Sequence, residues 1–235
     1  MKGMLETALA NPWDTLGRVL DGPLHPGGRE ATEALLDRAS VTAGTRLVDV
    51  GCGAGQSVAA ARDRGADAVG LDRDPGGNGG VRGEMTQLPF RDGSVDVVLA
   101  ECVMCLAANR EQALAEAYRV LKPGGALAVS DVVVEGAVPD LPDPMVRALC
   151  LQQSQSRAET VSEIEDAGFV VDNVGDHREE LFAMREQMAS KINYEGLLPL
   201  LGERGATILD GIHDVEDAVD DGRIGYVSVV SECVE

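Results

Sequence analysis

Aromatic residues make up 3% of this 235-residue chain, and lysine occurs at three positions. The chain also lacks any apolar run of the ~18 residues that a membrane-spanning helix needs. Its start, MKGMLETALANPW, lacks the basic segment followed by an apolar core that marks a signal peptide. We therefore expect a cytoplasmic protein that has no membrane partner.

Basic charge is in short supply. The chain has 40 acidic residues against 20 basic ones, for a formal net charge of -20. A protein with so large a negative charge repels phosphate groups. The sequence therefore predicts an acidic protein that does not bind nucleic acid. The acidity fits general solubility or a salt-rich cytoplasm, and composition alone does not separate the two.

The five cysteines are an odd number in a chain without an export signal, which argues against a disulfide framework and for reduced thiols. They are Cys52, Cys102, Cys105, Cys150 and Cys233. The length suits one substantial α/β domain with a full core.

The pattern alternates between strands and helices. A buried-strand run at Arg46–Val50 leads to a glycine cluster, a helix at 56–64, and a second strand at 66–71 that stops at Asp72. Strand, glycine turn, helix, strand and acid form a βαβ unit. Further strands are predicted at 80–84, 95–100, 126–134, 169–174 and 224–231, and further helices at 29–40, 110–121, 145–153, 159–167 and 177–200.

The segment between Asp72 and Glu84 contains a proline and a cluster of glycines. Parallel strands normally need a crossover of a dozen or more residues, usually a helix. Because this segment is short and rich in glycine, we predict an irregular loop there. The alternation is otherwise unbroken, which predicts a single domain.

The glycine cluster follows the first strand as a G-x-G-x-G turn, in Val48-Asp49-Val50-Gly51-Cys52-Gly53-Ala54-Gly55. Glycines let the backbone approach a ligand and leave the N–H groups of the next helix free. Asp49 stands two residues before the first glycine, where a carboxylate can face a cationic ligand. A pyrophosphate would gain nothing from that charge.

Four stretches together carry a family resemblance: DVGCGAG at 49–55, LD at 71–72, GEMTQLPF at 83–90 and RVLKPGGALAVSD at 119–131. The chain resembles class I S-adenosylmethionine-dependent methyltransferases. The resemblance implies an α/β, Rossmann-like fold with a seven-stranded, mostly parallel sheet and helices on both faces. We expect one methyltransferase domain over 1–235, with an N-terminal helical lid at 1–40, a cofactor-binding core at 41–175, a helical insertion at 176–222 and a last strand at 223–235.

The same resemblance implies the residues that bind S-adenosylmethionine. The backbone at Gly51, Gly53 and Gly55 would lie along the methionine moiety. Asp49 would lie near the amino group of that moiety, and Glu101 near the methyl sulfonium. On the nucleoside side, an acid that offers two acceptor oxygens suits a ribose diol. The resemblance assigns Asp72 to the ribose hydroxyls, Glu84 to the adenine amine and the Met85 N–H to the ring.

Methyl transfer is an in-line displacement, and an oxygen acceptor usually needs a general base. Of the three histidines, His25 precedes the first helix and His177 follows the sixth strand. Either one is a candidate base or substrate contact. A surface or capping role is the ordinary alternative for both.

The pair Cys102 and Cys105 has several interpretations. A zinc knuckle needs a second ligand pair, which the chain lacks, so we expect no metal site. A thioredoxin-type CxxC opens the helix after the first strand, whereas this pair follows the fourth. Core packing fits Cys105, because buried cysteine is common. Cys102 directly follows Glu101, at the tip of the strand.

The stretch VLAECVMCLAANREQALAEAYRVLKPGGALAVSDV resembles arsenite methyltransferases. In that family one cysteine follows the same strand, like Cys102, and a second lies before the helix leading into an AGF strand, like Cys150. The resemblance implies that both thiolates hold trivalent arsenic, whose lone pair attacks the methyl group. Soft thiolates suit such a thiophilic centre. The chain departs from the family in having no cysteine before Cys52 and a solitary Cys233.

Three hypotheses follow. The first is a methyltransferase that acts on a trivalent arsenical or a similar thiophilic substrate held by Cys102 and Cys150. The second is a small-molecule O-, N- or C-methyltransferase that uses His25 or His177. The third is a cofactor-binding protein without turnover.

Overall fold

The structure is a computed structural model that describes residues 25–76 and 80–234. It contains seven strands in these residues. They are β1 (Arg46–Val50), β2 (Asp67–Asp72), β3 (Val81–Arg82), β4 (Val95–Glu101), β5 (Leu121–Val134), β6 (Phe169–Asp176) and β7 (Ile224–Cys233). They form one sheet in the order β3-β2-β1-β4-β5-β7-β6.

Helices alternate with the strands along the chain. They are α1 (Gly28–Arg38), α2 (Gln56–Asp63), α3 (Arg110–Val120), α4 (Asp143–Ala148), α5 (Arg157–Asp166), α6 (Arg178–Lys191), α7 (Tyr194–Leu197) and α8 (Glu203–Asp220). Two 3₁₀ turns occupy Met104–Leu106 and Leu198–Leu201.

The sheet is parallel from β3 to β5, and β7 runs antiparallel to both β5 and β6. Both faces of the sheet are covered by helices. On one face Leu36 of α1 and Ala61 of α2 belong to an apolar cluster with β1 and β4, and on the other Leu114 of α3 and Ile164 of α5 do the same. These observations confirm the predicted Rossmann-like α/β fold. A strand buried on both faces must be apolar almost throughout, and β1 is buried at four of its five positions.

The centre of the sheet sets the position of the ligand site. From β1 the chain passes first to β2 on one side and later to β4 on the other, so the strand order reverses beside β1. In open α/β sheets ligands bind at the carboxyl ends of the strands at such a switch point. The glycine turn, Asp72 and Glu101 lie at those ends.

One predicted helix differs from the structure in its bounds, and one predicted loop agrees with it. The helix predicted at 145–153 is the shorter α4, which begins after Pro142 and ends at Ala148. Cys150 then adopts a left-handed backbone with a φ of 58°, and this conformation is incompatible with a continuing helix. Between β2 and β3, the described residues 73–76 and 80 are not helical, in agreement with the predicted loop.

The segment between β6 and β7 is helical, with α6, α7, a 3₁₀ turn and α8 in succession. Of the N-terminal lid predicted at 1–40, residues 1–24 lie outside the described residues, and α1 covers most of the remainder. Among the described helices, none combines the length and the apolar character needed to cross a membrane.

Candidate active site

The glycine turn between β1 and α2 requires glycine for steric reasons. Gly51, Gly53 and Gly55 have φ angles of 79°, 48° and 80°, a region that other residues adopt at a cost. A Cβ atom on Gly51 would also come within 2.3 Å of the Val103 side chain. The Gly53 N–H donates to the carboxylate of Asp72 at 2.9 Å, which ties the turn to the end of β2.

A cavity of about 620 Å³ opens over this turn. Its wall contains seven of the eight predicted cofactor residues, and Gly55 caps α2 instead. The seven are Asp49, Gly51, Gly53, Asp72, Glu84, Met85 and Glu101. The chemistry of the wall fits S-adenosylmethionine, because its carboxylates offer hydrogen-bond acceptors to an ammonium, a diol and an amine, and negative charge to a sulfonium.

Asp49 is the most buried of these acids, with 3% of its surface exposed. Burial raises the pKa of the Asp49 carboxyl well above its usual value, and the charges of Glu101 and Asp72 add to this shift. A cation in the cavity would favour the ionised carboxylate.

Glu101, at the end of β4, is held by two hydroxyl groups. Ser57 of α2 donates to it at 2.6 Å, and the Thr32 hydroxyl of α1 lies 3.1 Å from each carboxylate oxygen. The His25 ring nitrogen Nε2 lies 3.1 Å from the Thr32 hydroxyl and 3.6 Å from Glu101. His25 is buried and lines the cofactor cavity, as one of the sequence hypotheses requires.

His177 is positioned differently. Its ring nitrogens lie 2.8 Å from the Ser228 hydroxyl and 3.2 Å from a carboxylate oxygen of Glu180. It lines a second cavity, of about 830 Å³, whose wall also includes His25. The two histidines therefore differ in the cavities that they line. His25 borders both cavities, whereas His177 borders the second one.

Cys102 and Cys150 are 48 residues apart in the sequence but meet in the structure. Their Sγ atoms and a carboxylate oxygen of Asp131 all lie within 4.8 Å of one another. The Cys150 thiol also donates to the Cys102 carbonyl at 3.6 Å. Cys102 is half-buried on the wall of the cofactor cavity, whereas Cys150 and Asp131 are buried behind it.

The thiols are held in their protonated form by this environment. The hydrogen bond with Cys150 and burial raise the pKa of the Cys102 thiol well above its usual value. The contact with Cys102 lowers the pKa of the Cys150 thiol. The contact with Cys105 and burial raise that pKa and outweigh the effect of Cys102, so the pKa of Cys150 is also raised. Burial raises the pKa of Asp131 to about 6, although the charge of Arg110 counteracts it.

Cys105 lies in the apolar cluster beside these thiols with 1% of its surface exposed. Its Sγ is 3.9 Å from the Cys102 carbonyl, and its side chain also contacts Cys150. The packing role expected from the sequence fits its burial, although Cys105 adjoins the pair rather than standing apart from it.

The comparisons with known proteins identify the family of the chain. Residues 48–129 match the sequence model of the family described as "Methyltransferase domain". The chain is also 33% identical over 205 residues to Methyltransferase GfsG of Streptomyces halstedii, covering 78% of this chain and 73% of that protein. The chain belongs to the methyltransferase family. It is an S-adenosylmethionine-dependent enzyme, which favours the first two hypotheses over a cofactor-binding protein without turnover.

Two other similarities to this methyltransferase are more limited. An arsenite methyltransferase of Halobacterium salinarum is 32% identical over 151 residues, which cover 56% of the chain and 39% of that protein. A solved structure of geranyl diphosphate methyltransferase in complex with S-adenosylmethionine superposes with a TM-score of 0.71 at 22% identity, covering 97% of the chain and 95% of that structure. At this identity the structural likeness supports the fold alone.

Three residues of this methyltransferase site were not predicted from the sequence. Thr32 and Ser57 hold Glu101 through contacts between distant segments, and no local pattern indicates them. Asp131 carried a detectable signal, because it ends the quoted stretch RVLKPGGALAVSD. In the sheet, Glu101 pairs with Ser130, so an acid at position 131 lies beside the tip of β4.

Proposed function

We propose that this methyltransferase transfers the methyl group of S-adenosylmethionine to a trivalent arsenical or a similar thiophilic acceptor, held by Cys102 and Cys150. The proximity of the two thiols is the observation that supports it. A soft, thiophilic centre suits paired sulfur ligands. Because Cys102 is also on the cofactor cavity wall, an acceptor bound to it would lie next to the cofactor.

For the cofactor, we retain the roles expected from the sequence. Asp49 would accept from the methionine ammonium beside the backbone of Gly51, Gly53 and Gly55. Asp72 would bind the ribose, Glu84 and the Met85 N–H would bind the adenine, and Glu101 would stabilise the sulfonium. The proposed domain is likewise the single one expected, with its core at 41–175, and its location in the cytoplasm stays a prediction.

In this proposal, the two cysteines bind the acceptor and place it next to the cofactor. When bound, S-adenosylmethionine supplies an electrophilic methyl group on a cationic sulfur. Cys102 and Cys150 each condense with an As–OH group, forming an As–S bond and releasing water. Held by these thiolates, the acceptor would present the arsenic lone pair to the methyl group that the cofactor supplies, so no proton has to be removed and no general base is needed.

The test is methylation of arsenite or methylarsenite by the purified enzyme with S-adenosylmethionine, read by mass spectrometry of the arsenic products. Because both bonds to the acceptor are lost, Cys102→Ser/Cys150→Ser should lower the rate by more than the roughly 10–100-fold that loss of an outer-shell partner costs at a metal site. Cys233→Ser, a buried cysteine at the end of β7, is the matched control and should retain the rate. Full activity in the double variant contradicts the proposal.

A second candidate function is O-, N- or C-methylation of a small organic acceptor with His25 as base. The observation that favours it is the buried His25 ring on the cavity wall, hydrogen bonded to Thr32. His177, the other candidate base, borders the second cavity instead. A pH–rate profile that loses its acidic limb in His25→Gln, with no response to arsenicals, would support this function over the first.

A further inference from the structure

Three potential metal ligands converge next to the cofactor cavity from three separate segments. Cys102 follows β4, Asp131 lies in β5, and Cys150 follows α4. We propose that Cys102, Cys150 and Asp131 form a binding site for a soft divalent metal ion such as Zn²⁺ or Cd²⁺, with one coordination position left for a further ligand. This inference does not rest on arsenical methylation, and it departs from the expectation of no metal site, which stays a prediction.

The distances are close to those of a tetrahedral site. Zinc binds thiolate sulfur at about 2.3 Å and carboxylate oxygen at about 2.0–2.2 Å, which separates neighbouring ligand atoms by roughly 3.6–3.8 Å. The three ligand atoms here lie within 4.8 Å of one another. Closing around an ion therefore requires shifts of about 1 Å or less, which side-chain rotation supplies.

The carboxylate of Asp131 is already oriented. One of its oxygens accepts the Cys105 N–H at 2.9 Å, and the other accepts the Val132 N–H at 2.9 Å. Each carboxylate oxygen has a second lone pair, so these bonds fix the group without using up its capacity to bind an ion. Hydrogen bonds of this kind to a ligand are typical of protein metal sites.

The backbone at both cysteines is strained. Cys102 and Cys150 have φ angles of 50° and 58°, and Ser40 is the one other non-glycine residue with a positive φ among the described residues. Such a conformation is disfavoured for an ordinary residue and persists where the surroundings impose it, often at functional sites. Here it brings the two sulfurs together from separate segments.

The ion also has a route of access and a balanced binding reaction. Cys102 is on the cofactor cavity wall, so an ion can reach the sulfurs from the cavity. Two Zn–S bonds form as two S–H bonds break, and both protons pass to solvent. The two cysteines are those proposed to hold the methyl acceptor, so a bound ion would compete with a thiophilic acceptor for them. Alternatively, the open coordination position of the ion would bind the thiol or hydroxyl group of an organic acceptor.

The test is titration of the reduced, metal-free full-length protein with Cd²⁺ and with Co²⁺, read by thiolate-to-metal charge-transfer absorption. We expect one ion per chain with a dissociation constant in the micromolar range or below, and no competition by Mg²⁺, which prefers oxygen ligands. Cys102→Ser and Cys150→Ser each remove a sulfur ligand and should weaken binding by more than the roughly 10–100-fold that loss of an outer-shell partner costs. Asp131→Asn retains an oxygen and should weaken binding less, by about 10-fold. Cys233→Ser is the matched control and should bind as the wild type does.

S-adenosylmethionine binding by calorimetry establishes that each variant is folded. If Asp131→Asn does not fold, X-ray absorption of the Zn²⁺-loaded wild type decides its role, with two sulfur and one or two oxygen neighbours expected. A shell of three sulfurs, an absence of charge-transfer absorption, or unchanged binding in Cys102→Ser would overturn the inference. Metal binding without arsenical methylation would retain this inference and reject the proposed function, and the converse result would do the opposite.

Discussion

At the scale of single residues, the cofactor cavity concentrates like charge. Asp49 is buried beside Asp72 and Glu101, and burial with these charges raises the pKa of Asp49 well above its usual value. Between its unfolded and native pKa values, the native state holds more protons than the unfolded state, so stability falls as pH rises through that window. A bound ammonium reverses this preference, because it favours the ionised form.

S-adenosylmethionine binding should therefore release a proton from Asp49. The affinity of the wild type should increase as pH rises through the raised pKa and then level off. Asp49→Asn should weaken binding by roughly 10–100-fold, since a bond to a charged group contributes about 1.5–3 kcal/mol, and should flatten the pH dependence. The measurement is calorimetric titration from pH 5 to 8 in buffers of different ionisation enthalpy (~50 mM, low enough to limit screening).

Asp67→Asn is the control for this experiment, because Asp67 is an exposed acid at the opposite end of β2. It should leave both the affinity and its pH dependence unchanged. Without cofactor, Asp49→Asn should raise the free energy of unfolding at neutral pH, by about 1.4 kcal/mol for each pKa unit of the lost shift. A pH slope that survives in Asp49→Asn would assign the proton to another group.

At the scale of elements, α1 is linked to the sheet through one buried hydroxyl. Thr32 is 1% exposed and is the residue of α1 that donates to Glu101 at the tip of β4. The helix therefore covers the methyl-transfer end of the cavity and also orients one of its acids. Leu35 and Leu36 add apolar contacts on the same side of the sheet.

Thr32→Val keeps the shape of the side chain but removes the hydroxyl, leaving Glu101 with the Ser57 bond. Loss of a hydrogen bond to a buried charged group should lower the free energy of unfolding by about 1.5–3 kcal/mol and reduce the rate of methyl transfer. Thr32→Ser retains the hydroxyl and should restore most of the rate. Thermal unfolding and steady-state kinetics of the two variants measure this, and equal rates would exclude an orienting role for Thr32.

The elements that the sequence predicted best are those whose pattern is local. The mostly apolar run at Arg46–Val50 predicts a strand, and the glycines after it predict a turn, without reference to distant residues. Strand β1 has the predicted bounds. The end of α4 was predicted too late, because the left-handed backbone at Cys150 depends on its neighbours rather than on its own sequence. The contacts of Thr32 and Ser57 with Glu101 could not be predicted for the same reason, since each joins segments far apart in the chain.

At the scale of the whole molecule, the net charge of -20 should destabilise the compact state through self-repulsion. Raising the salt concentration from 0.01 M to 1 M shortens the Debye length from about 30 Å to about 3 Å, so the melting temperature should rise by several degrees. Scanning calorimetry in a KCl series measures this. Replacing the exposed acids Glu111, Glu165, Glu186 and Asp214 by their amides changes the net charge from -20 to -16 and should reduce the salt dependence. A melting temperature that is flat in KCl, or an equal slope in the variant, would show that local ion pairs rather than net repulsion determine the response.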